Sequence, residues 1–274
     1  MTGDDVTFPI LTRKISERAG LALSAYKDKC LRRRIAVRMR AVGVHTYAEY
    51  LAVLDRTPGE LERLTDVLTI NVTKFFRNRE TWDRIASLVA AEVLPRREGR
   101  ARIWSAGCAS GEESYTLAMI FAEATERAGQ RAWLNRFTID ATDIDRLSLE
   151  RAREGRYPEA AFSETPAETV EKYCRRIDGD QYLVDERIRS RVSVRRHDLT
   201  LEPPPHPPYD LIVCRNVIIY FDRPTQERLM GIFHDSLAPG GFLVLGKVET
   251  IFGPAKNRLE LIEPRERIYR RPAP

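Results

Sequence analysis

The chain has 274 residues, of which 43% are hydrophobic and 31% charged, enough apolar side chain for a packed core and no compositional case for disorder. No apolar run reaches the roughly 20 residues that span a bilayer, and the first ten residues show neither a basic start nor an apolar stretch leading to small residues, so membrane insertion and a secretory signal are not expected. Cys30, Cys108, Cys174 and Cys214 form no CxxC pair and no histidines cluster, which excludes a zinc-finger or disulfide scaffold; no metal site is expected, and the protein reads as cytoplasmic and monomeric.

Residues 1–80 read as all-helical, with Thr7, Ser24, Thr46 and Thr57 as N-caps and Pro58 in a first turn. The net charge of +5 is uneven: residues 13–40 hold ten basic residues against two acids. Tyr26–Val42 reads as one helix, because Leu31, Ile35, Met39 and Val42 recur at helical spacing and form one apolar stripe. Arg32, Arg33, Arg34, Arg38 and Arg40 lie largely off it as a cationic face. That face is either a solvated helix side or a docking surface for a polyanion, which could be nucleic acid or an acidic protein helix.

From about residue 100 short β-rich runs alternate with amphipathic helices: Arg102–Ala106, Phe137–Thr142, Val192–Arg195, Leu211–Cys214 and Phe242–Leu245. Such alternation predicts an α/β fold, a doubly wound, mostly parallel sheet covered on both faces. Leu259–Ile262 and Arg267–Tyr269 read as a closing antiparallel pair. A stretch at about 172–196 interrupts the pattern and reads as a small β-hairpin insertion turning at Asp178-Gly179. Pro203–Pro208, five prolines in six residues, is a stiff loop leading into a strand.

Three strand ends carry candidate chemistry. After the first strand, Gly107 and Gly111 let the backbone approach a ligand at a helix N-terminus. The spacing is G-x-x-x-G, and Glu112 and Glu113 follow where a pyrophosphate would sit. Two carboxylates repel a dinucleotide and suit an ammonium or sulfonium ligand; the plain alternative is a structural turn with acids at the helix dipole. Asp143, past the second strand, is placed to accept the hydroxyls of a ribose, whereas Asp145 reads as an N-cap. Arg215, Asn216 and Tyr220 follow a strand whose carboxyl end faces the crevice of such a sheet. His206-Pro207-Pro208-Tyr209 echoes the motif of amino-methylating nucleic-acid enzymes, but here it precedes its strand.

The run Asn71, Thr73, Phe75, Phe76, Arg77, the Ala106–Glu113 loop, Asp143-Ile144-Asp145, Arg215–Asp222 and Leu237–Gly241 together resemble the chemoreceptor glutamate methyltransferase family, CheR, over nearly the whole chain. The resemblance implies a sheet of the S-adenosylmethionine-dependent methyltransferase type. It places a receptor-docking helical domain and linker at 1–80 and the methyltransferase domain at 81–274. It also implies S-adenosylmethionine as cofactor, with S-adenosylhomocysteine as product. Asn71, Thr73 and Arg77 match contacts at the amino-acid end, and one of Glu112 and Glu113 the acid that meets the amino group. Asp143 matches the ribose ligand, Asp198 and Leu199 the segment holding the adenine, and Arg215-Asn216 the last contact. Arg77 and Tyr220 match groups handling the substrate carboxylate. The basic helix would dock on the cytoplasmic helical domain of chemoreceptors. Ser114, Lys247 and Asp198 depart from the family's commoner residues, which are proline, histidine or serine, and asparagine.

The implied reaction gives glutamate methyl esters for sensory adaptation. It needs no general base, since a glutamate carboxylate is ionised at neutral pH, and no motif contains a histidine. His45 and His234 read as ordinary helix residues, and His197 as packing. Two rivals remain. A nucleic-acid methyltransferase would use the basic helix against phosphates, yet residues 27–40 carry no aromatic for stacking. The other rival is a non-catalytic receptor-binding module.

Overall fold

The structure, a computed structural model, describes residues 3–69, 73–95, 101–129 and 137–273. The chain divides into two compact units, residues 1–70 with 220–226 and residues 71–219 with 227–274. Among the described residues no helix is long and apolar enough to cross a membrane.

The first unit comprises α1 (Gly3–Ala19), a 3-10 turn at Leu23–Ala25, α2 (Asp28–Ala41), α3 (Tyr47–Arg56) and α4 (Glu60–Leu68). Leu31, Ile35 and Met39 of α2 are buried as the spacing predicts, and Val42 caps the helix half-buried. Thr46 caps α3, because Glu49 completes a reciprocal capping box. The other predicted caps are corrected. Thr7 lies inside α1, which starts earlier, and Ser24 sits in the 3-10 turn, leaving Lys27 to cap α2 without a side-chain bond. Thr57 ends α3, and the left-handed Gly59 (φ +77°) opens α4. His45 stands in the loop before α3, not in a helix. Residues 220–226 join this unit through backbone bonds from Lys27 to Tyr220 (3.0 Å) and from Asp222 to Ala25 (2.9 Å), with Tyr26 edge-on against Phe221.

The second unit begins with α5 (Arg79–Leu88), which runs into a π-helical turn at Val89–Val93. It continues through β1 (Ala101–Ala106), α6 (Glu112–Arg127), β2 (Phe137–Asp143), α7 (Arg146–Glu154), β3 (Arg156–Pro158), α8 (Ala167–Tyr173), β4 (Cys174–Arg176), β5 (Gln181–Val184) and α9 (Glu186–Arg189). Then come β6 (Val192–Arg196), β7 (Tyr209–Cys214), α10 (Arg223–Ser236), β8 (Leu237–Leu245), β9 (Glu260–Glu263) and β10 (Ile268–Arg270). The main sheet runs β6-β2-β1-β7-β8-β10-β9; its first five strands are parallel and β10 and β9 close it antiparallel.

One face of that sheet (Ile103, Ile139, Leu211, Val213, Phe242) packs under Trp82 and Ile85 of α5 and Leu117 and Phe121 of α6, all essentially buried. On the other, Trp104 stacks on Tyr209 and meets Phe233 of α10 edge-on; Leu149 of α7 covers Ala141, which shares a face with Ile139. Each such side chain contributes roughly 1.5–3 kcal/mol by leaving water. Burial on both faces is what made these strands readable as apolar runs. The hairpin forms at β4 and β5 as predicted, but β3 joins it in a three-stranded antiparallel sheet, β3-β5-β4.

Candidate active site

The site is built by loops that leave neighbouring parallel strands at their carboxyl ends. After β1 the chain turns through Gly107 (φ +80°), Ala109 (φ +47°) and Gly111 (φ +96°) into α6. A Cβ at Gly107 would lie 2.4 Å from a Val217 methyl, so the loop after β7 can approach only because that residue is glycine. Gly107 and Cys108 donate their N–H groups to the Thr142 carbonyl at 2.8 and 2.9 Å. Asp143 holds the same turn from β2: one carboxylate oxygen accepts Ala109 N–H (2.8 Å) and the other Asp145 N–H (2.9 Å). Burial raises its carboxyl above the usual range, opposed by those bonds. Asp145 caps α7 through Leu147 N–H (3.0 Å), as predicted.

Glu112 and Glu113 face different surroundings. Glu112 accepts the Ser110 hydroxyl (2.8 Å) and lies in the field of Arg151. Glu113 accepts Ser105 (3.1 Å) and stands 3.6 Å from the Arg215 guanidinium. Burial pushes its carboxyl up to about 7; Arg215 and Ser105 pull it down, Glu249 adds to the rise, and Arg77 opposes it. Arg215 itself is buried and fixed, donating to the Arg77 carbonyl and to Asn78 Oδ1, both at 3.0 Å, with its guanidinium 5.0 Å from the Trp82 ring.

The segment carrying Arg77 is held on all sides. Phe75 stacks on Phe162 (4.4 Å) and meets Tyr157 edge-on, and its N–H donates to the Ala161 carbonyl. Phe76 and Asn78, either side of Arg77, take left-handed backbone (φ +52° and +62°). Their N–H groups donate to Thr116 Oγ1 (3.2 Å) and Glu164 Oε2 (2.8 Å), while Trp82 Nε1 donates to the Arg77 carbonyl (2.9 Å). Strained backbone persists only where such contacts over-determine it. Thr73 and Arg77 are half-buried here; Asn71 lies outside the described residues.

After β6, Asp198 is buried (4% exposed). One oxygen accepts both the N–H (2.7 Å) and hydroxyl (2.6 Å) of Thr200; the other, Oδ2, is buried with no hydrogen-bond partner. A buried carboxylate oxygen left without a donor costs free energy unless a ligand supplies one. Leu199 is buried beside it, and His197 packs edge-on against Trp104. Asn216 follows Arg215 in left-handed backbone (φ +61°).

Tyr220, by its contacts, belongs to the helical unit, where its phenol lies in the field of Arg34. Of the five arginines of the basic helix, Arg38 pairs doubly with buried Glu60 (2.8 and 3.0 Å), Arg32 stacks over Phe8 at 3.9 Å, and Arg34 donates to the Val67 carbonyl. Arg33 and Arg40 remain exposed. The departing Lys247 bridges Glu80 (3.3 Å) and Glu266 (3.4 Å).

Sequence reading missed Trp82, Thr116, Glu164 and Glu249. Their bonds to Arg77, Phe76, Asn78 and Asn216 span 5, 40, 86 and 33 residues of chain and run through backbone groups, and only Glu249, an acid just beyond a strand end, carried a local signal. Among the described residues no group of three histidine, cysteine or acidic side chains is placed to hold a metal ion.

Residues 71–268 match the family described as "CheR methyltransferase, SAM binding domain", and residues 7–69 match "CheR methyltransferase, all-alpha domain". A chemotaxis protein methyltransferase of Listeria monocytogenes is 35% identical over 89% of this chain and 90% of its own length. One of Escherichia coli is 31% identical over 94% and 88%. A 104.1 kDa protein of Rhodobacter capsulatus is 35% identical over 89% of this chain, which spans 25% of that protein.

Proposed function

The chain belongs to the CheR methyltransferase family and is an S-adenosylmethionine-dependent methyltransferase of chemotaxis, and from that premise we propose that it esterifies glutamate side chains on the cytoplasmic helical domain of chemoreceptors. The observation that carries the reading is the placement of Asp198, Asp143, Glu113 and Arg215 at or just beyond the carboxyl ends of β6, β2, β1 and β7, four adjacent parallel strands of one sheet. The order changes direction at β1, where open α/β sheets bind ligands.

The donor set suits the cofactor. The unpaired Asp198 Oδ2 can accept from an exocyclic amine, with Leu199 against the adenine. Asp143 can take ribose hydroxyls on its remaining lone pairs. Glu113, not Glu112, is the acid for the amino group, because it alone shares its surroundings with Arg215 and Arg77. Gly107, Thr73, Asn71 and Asn216 complete the contacts. When bound, S-adenosylmethionine supplies an electrophilic sulfonium methyl.

The acceptor glutamate is ionised near neutral pH and needs no base. Catalysis is alignment. Transfer neutralises the carboxylate, so a residue gripping the anion too tightly would slow the step. Arg77, its backbone fixed by Trp82, Arg215 and the flanking left-handed residues, orients one carboxylate oxygen. Tyr220 donates a neutral hydrogen bond. Arg33 and Arg40, the exposed two of those five arginines, meet acidic receptor helices, with Arg32, Arg34 and Arg38 shaping that face.

The test is transfer of labelled methyl from S-adenosylmethionine to receptor-bearing membranes, with nucleic acid as a parallel acceptor. Label on receptor that mild base releases as methanol supports the reading. Base-stable label on nucleic acid, with steeply salt-dependent binding, overturns it in favour of a phosphate-reading basic helix.

A further inference from the structure

Glu249 lies beyond β8, outside every motif that the sequence singled out. Its side chain is buried (2% exposed) and spent on backbone: Gly246 N–H (2.6 Å), Asn216 N–H (2.9 Å) and Ile219 N–H (3.3 Å) all donate to its carboxylate. Two of those donors belong to the loop after β7 that carries Arg215 and Asn216. Asn216 adopts left-handed backbone with its N–H held by Glu249. The fit is close: a Cβ on Gly246 would lie 2.8 Å from both Asn216 Nδ2 and Glu249 Oε2.

We propose that Glu249 is a positioning residue for the cofactor end of the site, the anion around which the Arg215–Ile219 loop is folded into its binding shape. The role rests on reading Arg215-Asn216 and Glu113 as cofactor contacts. It acts in two ways. Geometrically, Glu249 fixes Asn216 and, through the chain, Arg215, which in turn fixes the Arg77 carbonyl. Electrostatically, its charge faces Glu113. Around Glu113 stand Arg215, Arg77, Glu249, the Ser105 hydroxyl and the Cys108 and Cys214 thiols; around Glu249 stand Glu113, Arg215 and Cys214. Removing the Glu249 charge therefore lets Glu113 ionise more easily.

The experiment follows S-adenosylmethionine binding by calorimetry across neutral pH, and initial rates on receptor membranes, for the full-length wild type, Glu249→Gln and Glu249→Asp, each checked for folding by thermal melting. For Glu249→Gln the expected result is about tenfold weaker binding and a matching rise in KM, with kcat changed less than about threefold. The acid limb of its affinity profile moves to lower pH. Glu249→Asp keeps the charge on a shorter arm, so it weakens binding and leaves that limb in place; if the glutamine variant does not fold, this variant decides. Folded variants that bind like wild type, or lose kcat with KM unchanged, overturn the role. A wild type that fails to bind S-adenosylmethionine overturns the underlying reading of the site instead, and the role with it.

Discussion

Two glutamates, one in each unit, sit beside an arginine in the interior and are treated in opposite ways. Glu60 of the helical unit is fully buried, yet its carboxyl is lowered: burial pushes it up, and bonds from both Arg38 nitrogens and from Tyr50 (2.9 Å) outweigh that. Glu113 of the α/β unit keeps a single hydroxyl and an arginine at 3.6 Å, and its carboxyl rises to about 7. The same unit holds every left-handed non-glycine residue among those described, Phe76, Asn78, Ala109, Asn216 and Arg267, and the unpartnered Asp198 Oδ2. A completed network makes structure; strain and unfinished pairing mark where a ligand belongs.

Breaking the completed network should cost most. Glu60→Ala strands Arg38 and the Tyr50 hydroxyl, and is expected to lower unfolding free energy by about 3 kcal/mol in a denaturant melt. A change below about 1 kcal/mol would mean that water replaces the carboxylate and that Glu60 is no keystone. Arg77→Ala should leave folding intact and reduce methyl transfer about 100-fold, some 2.7 kcal/mol of barrier; near-normal turnover removes Arg77 from the reaction. Tyr220→Phe loses only a neutral hydrogen bond and should cost about fivefold in kcat. A loss equal to that of Arg77→Ala would make the phenol, not the arginine, the chief aligning group.

Acidity sharpens the contrast. Glu60 has a depressed carboxyl, so its stabilisation is present at neutral pH and is lost as pH falls below the ordinary glutamate value toward its folded one. Glu113 has a raised one: the folded state binds the extra proton, so between the ordinary value near 4.5 and about 7 this residue makes the ligand-free protein less stable as pH rises. Binding an ammonium needs the ionised form, so affinity for S-adenosylmethionine should climb with pH to about 7 and then level. A flat affinity profile across that range would show that Glu113 does not titrate there.

Much of the fold was legible because its signals are local. The main strands are apolar runs, and Thr46 announced a helix because Glu49 stands three residues on. Thr7 and Ser24 lack that second residue, and Thr57, although Glu60 stands three residues on, caps nothing because the Glu60 carboxylate is taken by Arg38 and Tyr50 and Gly59 opens the helix. The strand β3, only Arg156-Tyr157-Pro158 and containing a proline, falls below any periodicity. Within the site, Asp143 and the glycine turn could be placed from a strand end alone. Glu112 and Glu113 could not be separated, because adjacent helix positions differ only in what packs opposite them. Arg38 looked like part of a free cationic face until Glu60, 22 residues on, proved to lie beneath it.

The most direct measurement is therefore S-adenosylmethionine affinity for Glu113→Gln and Glu112→Gln side by side. An incompletely paired acid that serves the ligand should lose about tenfold on becoming glutamine, while Glu112→Gln stays within about twofold of wild type. The reverse order, or equal losses, would contradict the claim that unfinished pairing marks the site.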